Sequence, residues 1–209
     1  MITIIDSGLG NLNSIRNAFV YLGAETQVAS SAESLGDAHG IILPGVGAFS
    51  DGMKKLENGN WVTELDHRVR RQGVPFLGIC LGMQLLAEQG SEGGLVEGLG
   101  WVPGTVEKIE PTEQDRRLPH MGWNDVRFHQ DEEGMSAGMG AQDTFYFMHS
   151  FSVRTSSPEW VKGETDYAGK VTACLEHGHI WATQFHPEKS QKAGIQVLRN
   201  FIKLVKDQA

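Results

Sequence analysis

The sequence predicts an α/β fold: an open, mostly parallel sheet with helices on both faces, plus additional mixed strands in the second half. Short apolar runs alternate with stretches of helical spacing through the first half, the pattern of a parallel sheet covered on both sides. The second half carries short strand-like runs between turn residues and little helix. No Ser/Pro-rich linker or internal repeat divides the 209 residues, so the chain reads as a single domain over 1–209. Its 26 glycines follow no fixed period and mark many tight backbone positions.

The elements follow in order. Residues 2–5 form an apolar strand ending at Asp6, and Ser7-Gly8-Leu9-Gly10-Asn11 is a turn. Residues 13–22 place Ile15, Ala18, Phe19 and Leu22 at helical spacing before Gly23 stops the run. Residues 26–29 and 40–43 are the second and third strands, the latter closed by Pro44-Gly45-Val46-Gly47. A helix over 61–71 aligns Trp61, Leu65 and Val69. A fourth buried strand covers 74–79, and a helix over 81–88 leaves it. Strand-like runs then cover 105–109, 125–128, 144–151, 161–167 and 171–176. Residues 180–185 pair back on 171–176 around His177-Gly178-His179. An amphipathic helix over 190–205 closes the chain, with Ile195, Leu198, Ile202 and Val205 on one stripe. The polar segments 110–118 and 130–143 read as loops.

Composition excludes several classes. With 40% hydrophobic and 21% charged residues the chain is neither disordered nor a disulfide scaffold. Eighteen Lys and Arg against 26 Asp and Glu give a net charge of −8, and no basic run exceeds Arg68-Val69-Arg70-Arg71, so no nucleic acid is expected as a partner. No apolar stretch reaches ~18 residues, so no membrane span is expected. The N-terminus lacks the basic n-region of a signal peptide. Cys80 and Cys174 then read as free thiols of a cytoplasmic protein.

Three segments can carry chemistry. Gly78-Ile79-Cys80-Leu81-Gly82 has the nucleophile-elbow pattern with cysteine at its centre. Small residues two positions to either side let the chain turn sharply, and the N–H groups of the following helix start stabilise a thiolate. The competing reading is a structural cysteine between packing glycines. His186-Pro187-Glu188 follows the run 180–185. Proline holds His186 extended, and in an extended chain residues two apart share a face. Glu188 can then orient the ring while the ring takes the thiol proton. Alone, this tripeptide reads more readily as a surface turn with an incidental acid. Both segments end predicted strands, where open α/β sheets place their sites. Pro44-Gly45-Val46-Gly47 is either a plain turn or a loop aiming amides at a developing oxyanion, with the Leu81 amide as the other donor. Cys174, His177 and His179 supply only three metal-like side chains across a tight turn, which a hairpin tip explains better, so no metal or cofactor is expected. Ser7-Gly8-Leu9-Gly10 lacks the third glycine and the acid of a dinucleotide loop.

Six segments in this order resemble the class I (triad) glutamine amidotransferases, whose sheet is flavodoxin-like. They are Asp6-Ser7-Gly8-Leu9-Gly10-Asn11-Leu12, Leu43-Pro44-Gly45-Val46-Gly47-Ala48-Phe49, Gly78-Ile79-Cys80-Leu81-Gly82-Met83-Gln84, Pro119-His120-Met121-Gly122-Trp123-Asn124, Tyr146-Phe147-Met148-His149-Ser150-Phe151 and Ala182 through Ser190. The fourth and fifth are similar to the glutaminase subunits of histidine biosynthesis and their near paralogues. The resemblance implies a Cys80, His186, Glu188 triad that frees ammonia from L-glutamine. It implies an oxyanion hole at Val46, Gly47 and Leu81. It implies glutamine contacts at Gly47, Gln84, Glu92, His149, Ser150 and Phe151. It further implies a heterodimer with a (β/α)8-barrel synthase subunit, which receives the ammonia and makes imidazole glycerol phosphate and an aminoimidazole carboxamide ribotide. Asn11, Met121, Trp123, Asn124, Tyr146 and Lys189 match positions facing that partner. Trp123 in a Gly-Trp-Asn turn reads as an interface anchor or as a core indole beneath the loop. Ser7 and Phe151 stand where many members carry tyrosine. The other functions considered are a paralogous subunit serving a sugar-amidating enzyme of surface polysaccharides, a stand-alone thiol hydrolase, and a non-catalytic binding module.

Overall fold

The structure, a computed structural model, describes residues 1–113, 117–129 and 133–208. Strand β1 (Ile2–Ile5) is buried along its whole length, as a strand covered on both faces must be. It pairs in parallel with β2 (Thr26–Ala29) and β3 (Gly40–Gly45). Strand β4 (Phe76–Cys80) continues the parallel half beside β3. Helix α1 (Leu12–Tyr21) connects β1 to β2; α2 (Phe49–Asn58) and α3 (Trp61–Leu65) lie between β3 and β4. After β4 come the four-residue α4 (Leu81–Gln84), β5 (Ala87–Gly90), β6 (Val96–Glu97) and β7 (Val102–Lys108). The remaining elements are β8 (His120–Phe128), β9 (Gln142–His149), β10 (Phe151–Thr155), β11 (Val161–Asp166), β12 (Lys170–His177), β13 (Ile180–Thr183) and α5 (Gln191–Asp207).

The strands build a nine-stranded sheet, ordered β2-β1-β3-β4-β13-β12-β11-β8-β9, and a four-stranded sheet, β10-β7-β5-β6. The large sheet is parallel from β2 to β13 and antiparallel from β13 to β9. The period-two alternation of side chains splits its core. Ile4, Ile42, Leu77 and Ile79 pack with Phe19 of α1 and Leu198 and Phe201 of α5. Ile5, Ile41, Leu43 and Phe76 face the other way, onto Phe49, Met53 and Leu56 of α2 and Val102, Val106 and Val153 of the small sheet.

Four local expectations change. Helix α2 was not predicted: Phe49, Met53 and Leu56 keep helical spacing, but Gly52 and the polar residues between them dilute the signal. Gly52 is there because α4 comes close; a Cβ would lie 3.0 Å from Leu85 and 3.2 Å from Leu81 side-chain atoms. The 61–71 helix is α only through Leu65 and then a π-helical turn, Asp66–Arg71. The 81–88 helix stops at Gln84, because Ala87 and Gln89 are recruited to pair with Val102 and Thr105 of β7, tertiary pairing overriding local propensity. The single strand over 144–151 is two strands in two sheets, β9 and β10, meeting at Ser150. The hairpin around His177-Gly178-His179 forms, with His177 opposite Ile180. Of the loop 130–143, residues 130–132 lie outside the described residues and β9 begins at Gln142; of 110–118, residues 114–116 lie outside them.

Candidate active site

Strand β4 delivers Cys80 to the carboxyl end of the parallel half. Cys80 has φ +55° and ψ −106°, a conformation that costs a non-glycine residue on the order of 1–3 kcal/mol. The glycines on either side make the turn possible. A Cβ on Gly78 would sit 2.7 Å from the Gly82 carbonyl oxygen, and one on Gly82 would overlap the Leu43 carbonyl of β3. The pentapeptide is therefore an elbow, and the cysteine is not merely packed between glycines. Both cysteines are free thiols.

Adjacent β13 pairs in parallel with β4, Thr183 opposite Ile79, and leads directly to His186. The His186 backbone is anchored at both polar groups: its N–H donates to the Tyr146 carbonyl (2.9 Å), and its carbonyl accepts from the Ser190 hydroxyl (2.6 Å). Pro187–Lys189 forms a single 3-10 turn, so Glu188 reaches the ring by a turn rather than along an extended chain. His186 Nδ1 donates to Glu188 Oε1 at 2.9 Å, with both side chains almost fully buried. That bond places the hydrogen on Nδ1 and turns Nε2 away from the acid. Burial disfavours the charged ring, but Cys80 and Glu188 outweigh it and push the pKa up to about 9. Nε2 makes no hydrogen bond of regular geometry, although Cys80 is close enough to govern the ring's charge; such catalytic contacts often tighten only with substrate bound.

Cys80 opens into a cavity of about 260 Å3 lined by Val46, Gly47, Ala48, Leu81, Gln84, Glu92, Pro119, Met148, His149, Ser150 and Phe151. It gathers every residue that the resemblance assigns to glutamine. Burial raises the Glu92 pKa; the Phe49 N–H, which donates to its carboxylate at 3.3 Å, opposes the rise, and Asp51 adds to it.

A model of the class-I glutamine amidotransferase family matches residues 3–204. The chain belongs to this family. Among similar proteins, a Campylobacter jejuni (strain RM1221) protein named imidazole glycerol phosphate synthase subunit HisH 1 is 44% identical over 204 residues, covering 98% of this chain and 100% of that one. A Methanothermobacter thermautotrophicus protein named imidazole glycerol phosphate synthase subunit HisH is 45% identical over 207 residues, covering 99% and 100%. In fold, a crystal structure of a glutamine amidotransferase superposes with TM-score 0.77 at 19% identity over 98% of each chain.

The expected contacts of four residues take a different form. The Val46 N–H donates to the Leu9 carbonyl at 2.5 Å, so it is engaged by the Ser7–Asn11 turn and does not point at the thiol. Gly47 has φ +111°, open to glycine only, and Leu81 begins α4, where its N–H has no partner within the helix. Gln84 and His149 line the cavity, but their side-chain nitrogens are committed to the protein. Gln84 Nε2 donates to the Phe151 carbonyl (2.9 Å) and Gln184 Oε1 (3.0 Å). His149 Nδ1 bonds the Phe151 carbonyl at 2.8 Å, and its Nε2 lies 3.0 Å from His120 Nδ1. Asn124, expected to face a partner, is half-buried and turned inward, its Nδ2 bonding the Asp166 carbonyl at 3.0 Å and His120 Nε2 at 3.2 Å.

Of the other residues expected at an interface, Met121, Trp123, Tyr146 and Lys189 cluster. Met121 and Trp123 project from β8 with 58% and 48% exposure. Trp123 meets Tyr146 edge-on at 6.0 Å, and Lys189 Nζ lies 5.9 Å over the Tyr146 ring. The indole is on the surface, not beneath the loop. Asn11 caps α1, accepting from Ser14 N–H at 3.4 Å. Cys174, His177 and His179 do not converge: Cys174 is buried, His177 stacks on Trp160 at 4.6 Å and His179 Nε2 bonds the Val69 carbonyl. His120 and Gln184 carry polar roles that their sequence positions did not reveal, although the two-residue spacing of Gln184 and His186 put both near β13.

Proposed function

We propose that the chain is the glutaminase subunit of an imidazole glycerol phosphate synthase. One observation carries this: a strained cysteine at the end of β4, opening into the cavity, lies beside a buried histidine–carboxylate pair that follows the adjacent strand β13. The Cys80 sulfur attacks the side-chain amide carbon of glutamine. His186 takes the thiol proton and passes it to the departing nitrogen, which leaves as ammonia. Glu188 keeps Nδ1 protonated and the ring oriented throughout. Water then attacks the thioester carbon with His186 as base, releasing glutamate and restoring the thiol. The Gly47 and Leu81 amides hold the oxyanion, joined by Val46 once its N–H leaves the Leu9 carbonyl.

Ammonia passes to a (β/α)8-barrel synthase subunit docked on the Met121, Trp123, Tyr146 and Lys189 cluster, in a cytoplasmic heterodimer. The names carried by relatives above 40% identity support that partner and the acceptor chemistry of histidine biosynthesis. We also take 1–209 as one domain, in keeping with the family match over 3–204.

In the complex, Cys80→Ala should abolish glutamine-dependent synthesis while synthesis from free ammonium persists. Equal loss of both activities would sink the assignment. Rapid glutamine hydrolysis by the isolated chain would favour a stand-alone hydrolase.

A further inference from the structure

Gln84 and His149 line the cavity, yet their hydrogen bonds run away from it, and together they form one chain. His149 Nδ1 lies 2.8 Å from the Phe151 carbonyl, which can only accept, so Nδ1 carries the hydrogen. In the neutral ring Nε2 is then bare, and it lies 3.0 Å from His120 Nδ1, which must donate. His120 Nε2 is bare in turn and meets Asn124 Nδ2 at 3.2 Å; the other hydrogen of that amide goes to the Asp166 carbonyl. On the far side, the Phe151 carbonyl accepts a second bond, from Gln84 Nε2. The other Gln84 hydrogen goes to Gln184 Oε1, and Gln184 Nε2 donates to Cys80 Sγ at 3.7 Å. From Asn124 to the nucleophile, the donors and acceptors are consistent at every link.

A proton added to either imidazole would set two N–H groups against each other. Burial, with the neighbouring histidine adding to it, lowers His120 to about 3; burial also lowers His149 to about 4, against the Phe151 carbonyl. Packing fixes the His120 ring as well. It is stacked between Phe147 and Tyr167, with centroids 4.6 and 4.0 Å away.

We propose that His120, which does not line the cavity, is a positioning residue of the glutamine site. Through His149 it holds the Phe151 carbonyl, and with it both the Ser150–Phe151 rim and the Gln84–Gln184 arm that reaches Cys80. His120 and Asn124 lie on the inner face of β8, whose outer face carries Met121 and Trp123. The chain therefore ties the docking strand to the pocket. This inference rests on the glutaminase reading.

Nitrogen-15 imidazole shifts of the full chain at neutral pH should show the Nδ1–H tautomer for both His120 and His149. An Nε2–H tautomer or an imidazolium on either ring overturns the chain. In the complex, His120→Phe keeps a stacked ring but donates nothing. It should raise the glutamine KM about tenfold, the size of one lost buried hydrogen bond, and leave ammonium-driven synthesis unchanged. His120→Asn restores an N–H near the Nδ1 position and should recover most of the loss. An unchanged KM in His120→Phe, or equal KM values in the two variants, overturns the role. If the wild-type complex does not consume glutamine, the functional reading fails, and the tautomers still decide whether the chain exists.

Discussion

His186 and His149 are both buried beside the same cavity, and they are set to opposite charge. His186 is held up to about 9, whereas His149 is held down to about 4. Burial acts on both in the same direction, against the charged ring, so burial cannot explain the difference. The partners explain it. His186 faces the Cys80 sulfur, which favours an imidazolium when it is a thiolate, and a carboxylate at 2.9 Å. His149 faces a second histidine at 3.0 Å, and the charge on His186 disfavours a proton on it further. One ring is set to hold a second proton; the other is set to keep its single hydrogen in place.

The largest break in this comparison comes from removing the acid. Glu188→Gln should keep the hydrogen-bond distance but not the charge. It should cut glutamine-dependent kcat by about 10^3–10^4-fold, the scale seen when a triad acid is neutralised, while ammonium-dependent synthesis survives. Stopped-flow or steady-state assays of both activities check it, and a loss under about tenfold would mean that Cys80 alone holds the imidazolium.

The two histidine sites should also act on opposite limbs of the stability profile. His120 and His149 bind fewer protons when folded than when unfolded, where a histidine titrates near 6.5. Their contribution is therefore present above about 6.5 and lost as pH falls toward 4. His186 binds more protons when folded, so its contribution is present below about 6.5 and lost as pH rises through about 9. Urea melts across pH 4–10 should give a dome. His120→Phe should flatten the acid side and Glu188→Gln the alkaline side; a swap of these effects would reverse the assignment.

The smallest effect separates the two faces of β8. Trp123→Ala should weaken partner binding by about 2 kcal/mol, typical of an interface anchor, with the Tm and the glutamine KM of saturated complex unchanged. Titration calorimetry against the barrel subunit measures it. A wild-type Kd would place the docking surface elsewhere.

Much of this was legible in the sequence because it rests on local signals. The buried strands β1, β3 and β4 read as apolar runs, and Gly78 and Gly82 announced the elbow because the backbone crowding they relieve lies within one turn. His186 and Glu188 were readable as neighbours for the same reason. What escaped depends on distant segments. The Val46 N–H is captured by Leu9, a contact no spacing rule reports. The 81–88 helix fails because β7 claims its second half. His120 and His149 stand 29 residues apart, and only the antiparallel register of β8 and β9 sets them opposite each other. The bonds of Asn124 to His120 and to the Asp166 carbonyl likewise depend on strand pairing, which its motif does not report.

The division at Ser150 has a mechanical consequence. His149 ends a strand of the nine-stranded sheet, and Phe151 begins a strand of the four-stranded one. Both line the cavity, so its rim is the seam between two sheets rather than a feature of either. Shear of one sheet across the other would open or pinch that seam directly. Anything that leans on β8, which is zipped to β9 from His120 to Arg127, pulls on one lip of the pocket while the other lip stays anchored through β7.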